Sequence, residues 1–188
     1  PRAGAAGGSM KWLVFAATLG LAGGVAIAWL TRPEVPPAGP EAVPAAGIGD
    51  PRPAFRHAAI DGRIVDAADF DGRWLLLNFW ATWCAPCVRE MPVLQAVDQD
   101  YGELDVVGIA VDDPGSIRSF VDRLGVTYPI LIGTSDVRET RNRYGNPEGL
   151  LPYSVLVDDR GTIRWRHLGE LQRAEIDQAL AGLGFPGS

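Results

Sequence analysis

Cysteine is almost missing from this chain: its 188 residues hold two, Cys84 and Cys87. A disulfide-stapled extracellular scaffold needs more. A four-cysteine zinc site cannot be built, and a Cys2His2 site would need both His57 and His167, which lack the usual paired spacing. Lysine is scarcer still. Lys11 is the only one and precedes the first apolar run, so Schiff-base chemistry is excluded from the folded part. A basic face is lacking too. Net charge is −6, and residues 1–50 balance three basic side chains against three acidic ones, so 51–188 carry the whole excess. Nucleic acid finds no positive stripe to bind. Internal repeats are absent, and only one long uncharged run exists.

That run is Trp12–Leu30. Its nineteen positions, at about 1.5 Å each, nearly cross a hydrocarbon core of roughly 30 Å, so 12–30 reads as a transmembrane signal-anchor. Lys11 before it favours an N-inside orientation, with Trp12 and Trp29 placed as interfacial anchors. Ala26-Ile27-Ala28 also has the form of a signal-peptidase site, so cleavage stands as the alternative. Residues 1–11 form a small, flexible N-terminal tail in which Met10 is read as the start. Residues 31–53, with Pro33, Pro36, Pro37, Pro40, Pro44, Pro51 and Pro53, have too little apolar bulk to fold and read as a semi-stiff tether.

From Ala54 to Ser188 the pattern is that of one domain with one core. Phe55–Ile60 and Arg63–Val65 flank Asp61-Gly62, a hairpin signal. Trp74–Trp80 is bulky enough for a buried strand, and Asp105–Val111 reads as a second. Helices are predicted over 114–124, stopped by Gly125, over 136–144 and over 172–183. A short strand is expected at 129–132, and a strand–turn–strand at 153–157 and 162–167. Strands alternating with helices and ending in a hairpin predict an α/β sheet covered on both faces. Trp74, Phe79 and Trp80 are core candidates. His57 and His167 read as exposed strand residues, and Asn78 as a polar core residue satisfied by backbone.

The chemistry gathers at Asn78–Cys87, where the strand gives way to apolar residues at three- and four-residue spacing. Cys84 falls at the N-cap of the ensuing helix and Pro86 in its first turn, where a missing N–H costs nothing. Free N–H groups and the positive end of the helix dipole stabilise a thiolate there. A redox dithiol is the reading these residues support.

The segment Phe79-Trp80-Ala81-Thr82-Trp83-Cys84-Ala85-Pro86-Cys87 resembles the thioredoxin-fold active-site signature. Gly72–Asn78 before it and Arg89-Glu90-Met91-Pro92 after it resemble the exported, membrane-tethered branch, the TlpA/ResA-like thiol–disulfide oxidoreductases and cytochrome c maturation thioredoxins. The likeness covers about residues 53–183. It implies a thioredoxin fold: a central mixed sheet flanked by helices, with an N-terminal hairpin extension, preceded by a single transmembrane helix. It also implies that Cys84 attacks and Cys87 resolves, with no metal and no cofactor beyond the redox-active disulfide Cys84–Cys87. Trp83 and Pro86 would border the substrate. Leu151-Pro152 matches the cis-proline segment that pairs with it, and Pro92 the proline that kinks the active-site helix.

Two departures mark this chain. Asn78 and Gly108 stand where cytoplasmic thioredoxins carry an aspartate and a lysine, so their proton relay is absent. Glu90, one turn after Cys87, matches an active-site acid of the ResA-like branch and would shuttle the Cys87 proton, although a solvated first-turn position carries the same residue type. Tyr153 follows Pro152 where small hydroxyl residues are usual and is expected to narrow the groove.

The function expected is disulfide reduction in selected exported proteins, apocytochrome c or metal-site cysteines among the candidates. The chain would sit in the bacterial inner or cell membrane with its catalytic domain outside the cytoplasm. Electrons would come from a membrane thiol transporter of the DsbD/CcdA type, and a monomer is expected. An oxidase or isomerase on the same fold is the alternative, although no DsbA-sized helical insertion is visible. A Cu(I) metallochaperone is the second, since paired thiolates suit the metal. A peroxidase would need Pro-x-x-x-Thr-x-x-Cys, which is missing.

Overall fold

Trp74–Trp80, which we label β3, is buried along its whole length, and the rest of the domain is laid on its two faces. Successive side chains of a strand point to opposite sides. Trp74, Leu76 and Trp80 therefore enter one core, and Leu75, Leu77 and Phe79 the other. A fully buried side chain of this size contributes about 1.5–3 kcal/mol, so β3 could not be an edge. The computed structural model describes residues 44–187. The expected membrane segment at 12–30, the N-terminal tail and the tether up to residue 43 lie outside the described residues. Among the described residues no helix is long and apolar enough to cross a membrane.

The other elements follow in chain order: β1 (Arg56–Ala59), β2 (Ile64–Asp66), a 3-10 turn (Ala67–Phe70), β3, α1 (Ala85–Asp100), β4 (Leu104–Ala110) and α2 (Pro114–Leu124). After these come β5 (Ile130–Ile132), α3 (Ser135–Arg143), β6 (Tyr153–Val157), β7 (Ile163–Leu168) and α4 (Arg173–Leu183). They build one seven-stranded mixed sheet in the order β2-β1-β5-β4-β3-β6-β7. β3, β4 and β5 are parallel, while β6 and β7 on one side and β1 and β2 on the other run antiparallel. This is the thioredoxin-like α/β fold expected, with four α-helices among the described residues. α1, α2 and α4 supply apolar residues to one face, and α3 and the 3-10 turn to the other.

Local chemistry sets the element ends. Asp113 caps α2, its carboxylate accepting from Ser116 N at 3.1 Å. Gly125 ends that helix in the left-handed region at φ 65°, which a glycine adopts without cost.

Two expectations are corrected. His57 is buried (4 % exposed) rather than exposed. α3 packs across β1, bringing Asp136 Oδ2 within 3.0 Å of Nδ1 and Thr140 Oγ1 within 2.9 Å of Nε2. Residues 46–53, expected to belong to the tether, are bonded to the domain. Ala46 N donates to Arg143 O, Gly49 N to Ile163 O and Arg52 N to Gly161 O, each at 2.8 Å.

Candidate active site

β3 ends at Trp80 and α1 begins at Ala85, and the four residues between them form the site's floor. Asp112, just after β4, holds this turn by accepting from Thr82 N at 3.1 Å and from its hydroxyl. Burial opposes the Asp112 charge, but these hydrogen bonds outweigh it and hold its carboxyl below the usual range. Cys84 is the N-cap of α1, and Pro86 lies within the first turn.

Cys84 and Cys87 are joined in a disulfide, their Cα atoms 5.3 Å apart. Cys87 N donates to Cys84 Sγ at 3.3 Å, so the sulfur lies on the free N–H groups of the helix start. Both sulfur-bearing residues are buried, Cys84 at 5 % exposed and Cys87 not exposed at all. Bonding to Cys87 turns the Cys84 sulfur over the helix end instead of out to solvent. Trp83, beside it, is 70 % exposed. Pro92 lies inside α1, on its exposed side, where its missing N–H removes one helical hydrogen bond.

Glu90 is not a solvated helix residue. It is fully buried, one turn beyond Cys87, and both its oxygens are held. Asn78 Nδ2 donates to Oε1 and Leu171 N to Oε2, each at 2.7 Å. Burial disfavours the charge, the two hydrogen bonds partly restore it, and nearby Glu170 opposes it again. The outcome is a carboxyl pushed up to about 7, where a group can both give and take a proton near neutrality.

Asn78 is thus more than the backbone-satisfied core residue expected. β3 pairs it with Ser154 on β6 and Gly108 on β4, and its Nδ2 also donates to Ser154 Oγ at 3.0 Å. Its Oδ1 has no partner among the described residues. Nδ2 serves the ionised Glu90, and a turn of the amide would offer Oδ1 to the protonated acid. The signal for this residue was present, as the lone polar side chain in an apolar run. Its partners were set by register, which one strand alone does not reveal. Gly108 leaves no room for a side chain, since a β-carbon there would come within 2.7 Å of Ile130 Cδ1.

The Leu151–Pro152 bond is cis, as expected. Pro152 immediately precedes β6, which pairs with β3, and Gly169 N donates to its carbonyl at 2.9 Å. Tyr153 does not narrow the groove. It points to the opposite face of the sheet, packs on Phe79 at 6.1 Å between ring centroids, and donates its hydroxyl to Tyr144 O at 2.9 Å. The register that turns Ser154 toward Asn78 turns Tyr153 away.

Comparison with known proteins agrees with this geometry. The AhpC/TSA family pattern matches residues 48–166. The chain is 32 % identical over 142 residues to the thiol–disulfide oxidoreductase ResA of Geobacillus thermodenitrificans, spanning 74 % of this chain and 79 % of that protein. It is 31 % identical over 137 residues to the thioredoxin-like protein YneN of Bacillus subtilis, spanning 70 % and 78 %. Among solved structures, a thiol:disulfide interchange protein of the thioredoxin family from Chlorobium tepidum TLS superposes with a TM-score of 0.64 at 26 % identity, over 73 % of this chain and 98 % of that one. With its Cys-x-x-Cys pair at the head of α1, the chain belongs to the AhpC/TSA family as a ResA-like thiol–disulfide oxidoreductase of the thioredoxin superfamily.

Proposed function

We propose that this protein is an exported, membrane-tethered disulfide reductase acting on selected proteins outside the cytoplasm. The observation that carries the reading is a dithiol pair at a helix N-terminus with a buried, near-neutral carboxyl one turn behind it. In the reduced enzyme the Cys84 thiolate attacks one sulfur of a substrate disulfide, forming a mixed disulfide and expelling a substrate thiolate. Cys87 then attacks Cys84 Sγ, which releases the second substrate thiolate and closes Cys84–Cys87. Two electrons pass from enzyme to substrate. Glu90, as carboxylate, accepts the Cys87 proton as that thiol becomes a nucleophile. Trp83 and Pro86 border the incoming disulfide, and the Leu151 backbone before cis-Pro152 pairs with the substrate segment as an added strand.

The uncharged run 12–30 and the proline-rich stretch after it support tethering. Reduction in an oxidising space requires an electron supply, for which a membrane thiol transporter of the DsbD/CcdA type is the proposed source. Apocytochrome c and metal-site cysteines are the proposed substrate classes.

The test is the equilibrium reduction potential of Cys84–Cys87 in the full chain, titrated against glutathione and dithiothreitol. A value near about −270 mV fits a reductase. A value near about −120 mV would overturn the direction of transfer and assign the protein to the oxidases or isomerases. In parallel, Cys87→Ala is expected to accumulate a mixed disulfide through Cys84 and Cys84→Ala none. Accumulation through neither removes the cycle.

A further inference from the structure

The last turn before β6 is Asn146-Pro147-Glu148-Gly149, with a proline second and a glycine fourth, as a β-turn favours. Gly149 N closes it on Asn146 O at 3.2 Å. The Asn146 side chain goes further. It is buried (4 % exposed), and its amide reaches across the turn to Leu150. Nδ2 donates to Leu150 O at 2.7 Å, and Oδ1 accepts from Leu150 N at 3.2 Å. One side chain thus copies the double exchange of a hydrogen-bonded pair in an antiparallel ladder, and it occupies both backbone groups of Leu150.

The clamp is anchored in the fold. Asn146 N donates to Arg141 O at 3.2 Å, and Arg141 Nε donates back to Asn146 O at 3.1 Å. Arg141, on α3, also donates to Asn142 Oδ1 at 3.0 Å. A β-carbon on Gly149 would come within 2.7 Å of Arg141 Nη1, so the guanidinium lies directly against the turn.

Two features of the clamped stretch are left over. Leu151, unlike Leu150, has no hydrogen bond to either backbone group among the described residues. The Leu150 side chain is 53 % exposed although its backbone is fixed. Both stand at the redox end of the sheet. Tyr153 is in register with Phe79, which sets Pro152 level with Trp80, where the turn to Cys84 begins. Leu151 packs against the cluster that holds Cys84 and Cys87.

We propose that Asn146 is a positioning residue for substrate binding, and that the loop it holds selects an extended segment with a bulky apolar residue beside its disulfide cysteine. With the Leu150 backbone occupied, the Leu151 N–H and carbonyl are the pairing groups left on this stretch, so the substrate strand adds in one register. A turn held before the substrate arrives loses little entropy on binding. The Leu150 side chain, left open by the same clamp, is the apolar surface that the substrate residue covers. The proposal rests on the reduction of polypeptide disulfides by Cys84 and Cys87, and adds which polypeptides fit and what aligns them.

The test is single-turnover disulfide reduction by the pre-reduced full chain, followed to saturation. The probes are hydroxyethyl disulfide and the disulfide-linked dimers of two blocked peptides, Ala-Leu-Cys-Leu-Ala and Ala-Gly-Cys-Gly-Ala. At low concentration the wild type is expected to reduce the leucine peptide about tenfold faster than the glycine peptide. Asn146→Ala is expected to raise the half-saturating concentration of the leucine peptide about tenfold, with a much smaller change on hydroxyethyl disulfide, which has no backbone to pair. Leu150→Ser keeps the clamp and should bring the leucine-to-glycine ratio near one, and it carries the test if Asn146→Ala does not fold. An Asn146 that only holds the fold would slow all three probes alike and lower the unfolding midpoint. That result, a wild type indifferent to the two peptides, or a ratio unmoved in Leu150→Ser overturns the proposal. Failure of the reductase reading looks different: the reduced wild type would then leave hydroxyethyl disulfide unreduced as well.

Discussion

A carboxyl with no exposed surface and a pKa near 7 resists ionisation, and the whole fold bears that cost. The sign for Glu90 is opposite to that of a salt-bridged acid. Its pKa rises from 4.5 unfolded to about 7 folded, so between those values the native state holds the proton that the unfolded chain has released, and stability falls as pH rises. At about 1.4 kcal/mol per unit, the loss is on the order of 3 kcal/mol between pH 4 and pH 8. Glu90→Gln removes the charge, and Asn78 can turn its free Oδ1 toward the new amide. Denaturant unfolding of the oxidised chain is therefore expected to show Glu90→Gln gaining on wild type at pH 8 and losing that advantage at pH 4. Equal pH slopes for the two proteins would contradict a buried, titrating Glu90. The position of this residue, three beyond Cys87, was legible in the sequence. Its burial was not, because Leu171 N and Asn78 reach it from distant segments.

At the scale of elements, periodicity carried a large share of the fold and failed where one element covers another. The six apolar positions of β3 announce burial on both faces, and Asp113-Pro114 and Gly125 mark the ends of α2 to the residue. β1 shows the limit. His57 in a short strand gives no sign of a helix above it, yet Asp136 and Thr140, one turn apart on α3, close on both ring nitrogens, and Phe55 stacks at 5.8 Å. Aspartate, histidine and a hydroxyl in a line resemble a hydrolase relay, but Thr140 is buried within a helix and the arrangement straps β1 to α3. His57→Leu strips both partners of their bonds and is expected to cost about 1–3 kcal/mol. Because this strap lies against α3 rather than α1, the Cys84–Cys87 potential should not move. Unfolding curves and a redox titration of the same variant check both halves, and a shifted potential would show that the strap reaches the site.

For the molecule as a whole, the question is where the proposed tether ends and the folded domain begins. Composition alone drew the line at Pro53, because proline, alanine and glycine continue to that point. Backbone hydrogen bonds draw it earlier. Asp50 O accepts from Ile163 N at 3.0 Å, Pro51 bridges Thr162, and Arg166 Nη1 reaches Ala46 O at 3.2 Å, so this stretch covers part of β7, which would otherwise be an open sheet edge. A tether read from composition cannot reveal such pairing, since backbone groups bond whatever side chains they carry. Two truncations separate the readings. Removing residues 1–43 leaves every described hydrogen bond intact, and is expected to preserve the unfolding midpoint and the potential while shifting the chain from the membrane fraction to the soluble one. Removing residues 1–53 strips the β7 cover and the Tyr144 hydroxyl's bond to Pro53 O at 2.7 Å, and should lower the midpoint by several degrees. If the first truncation still sediments with membranes, residues 12–30 are not the anchor. If the second is as stable as the first, residues 44–53 are tether after all.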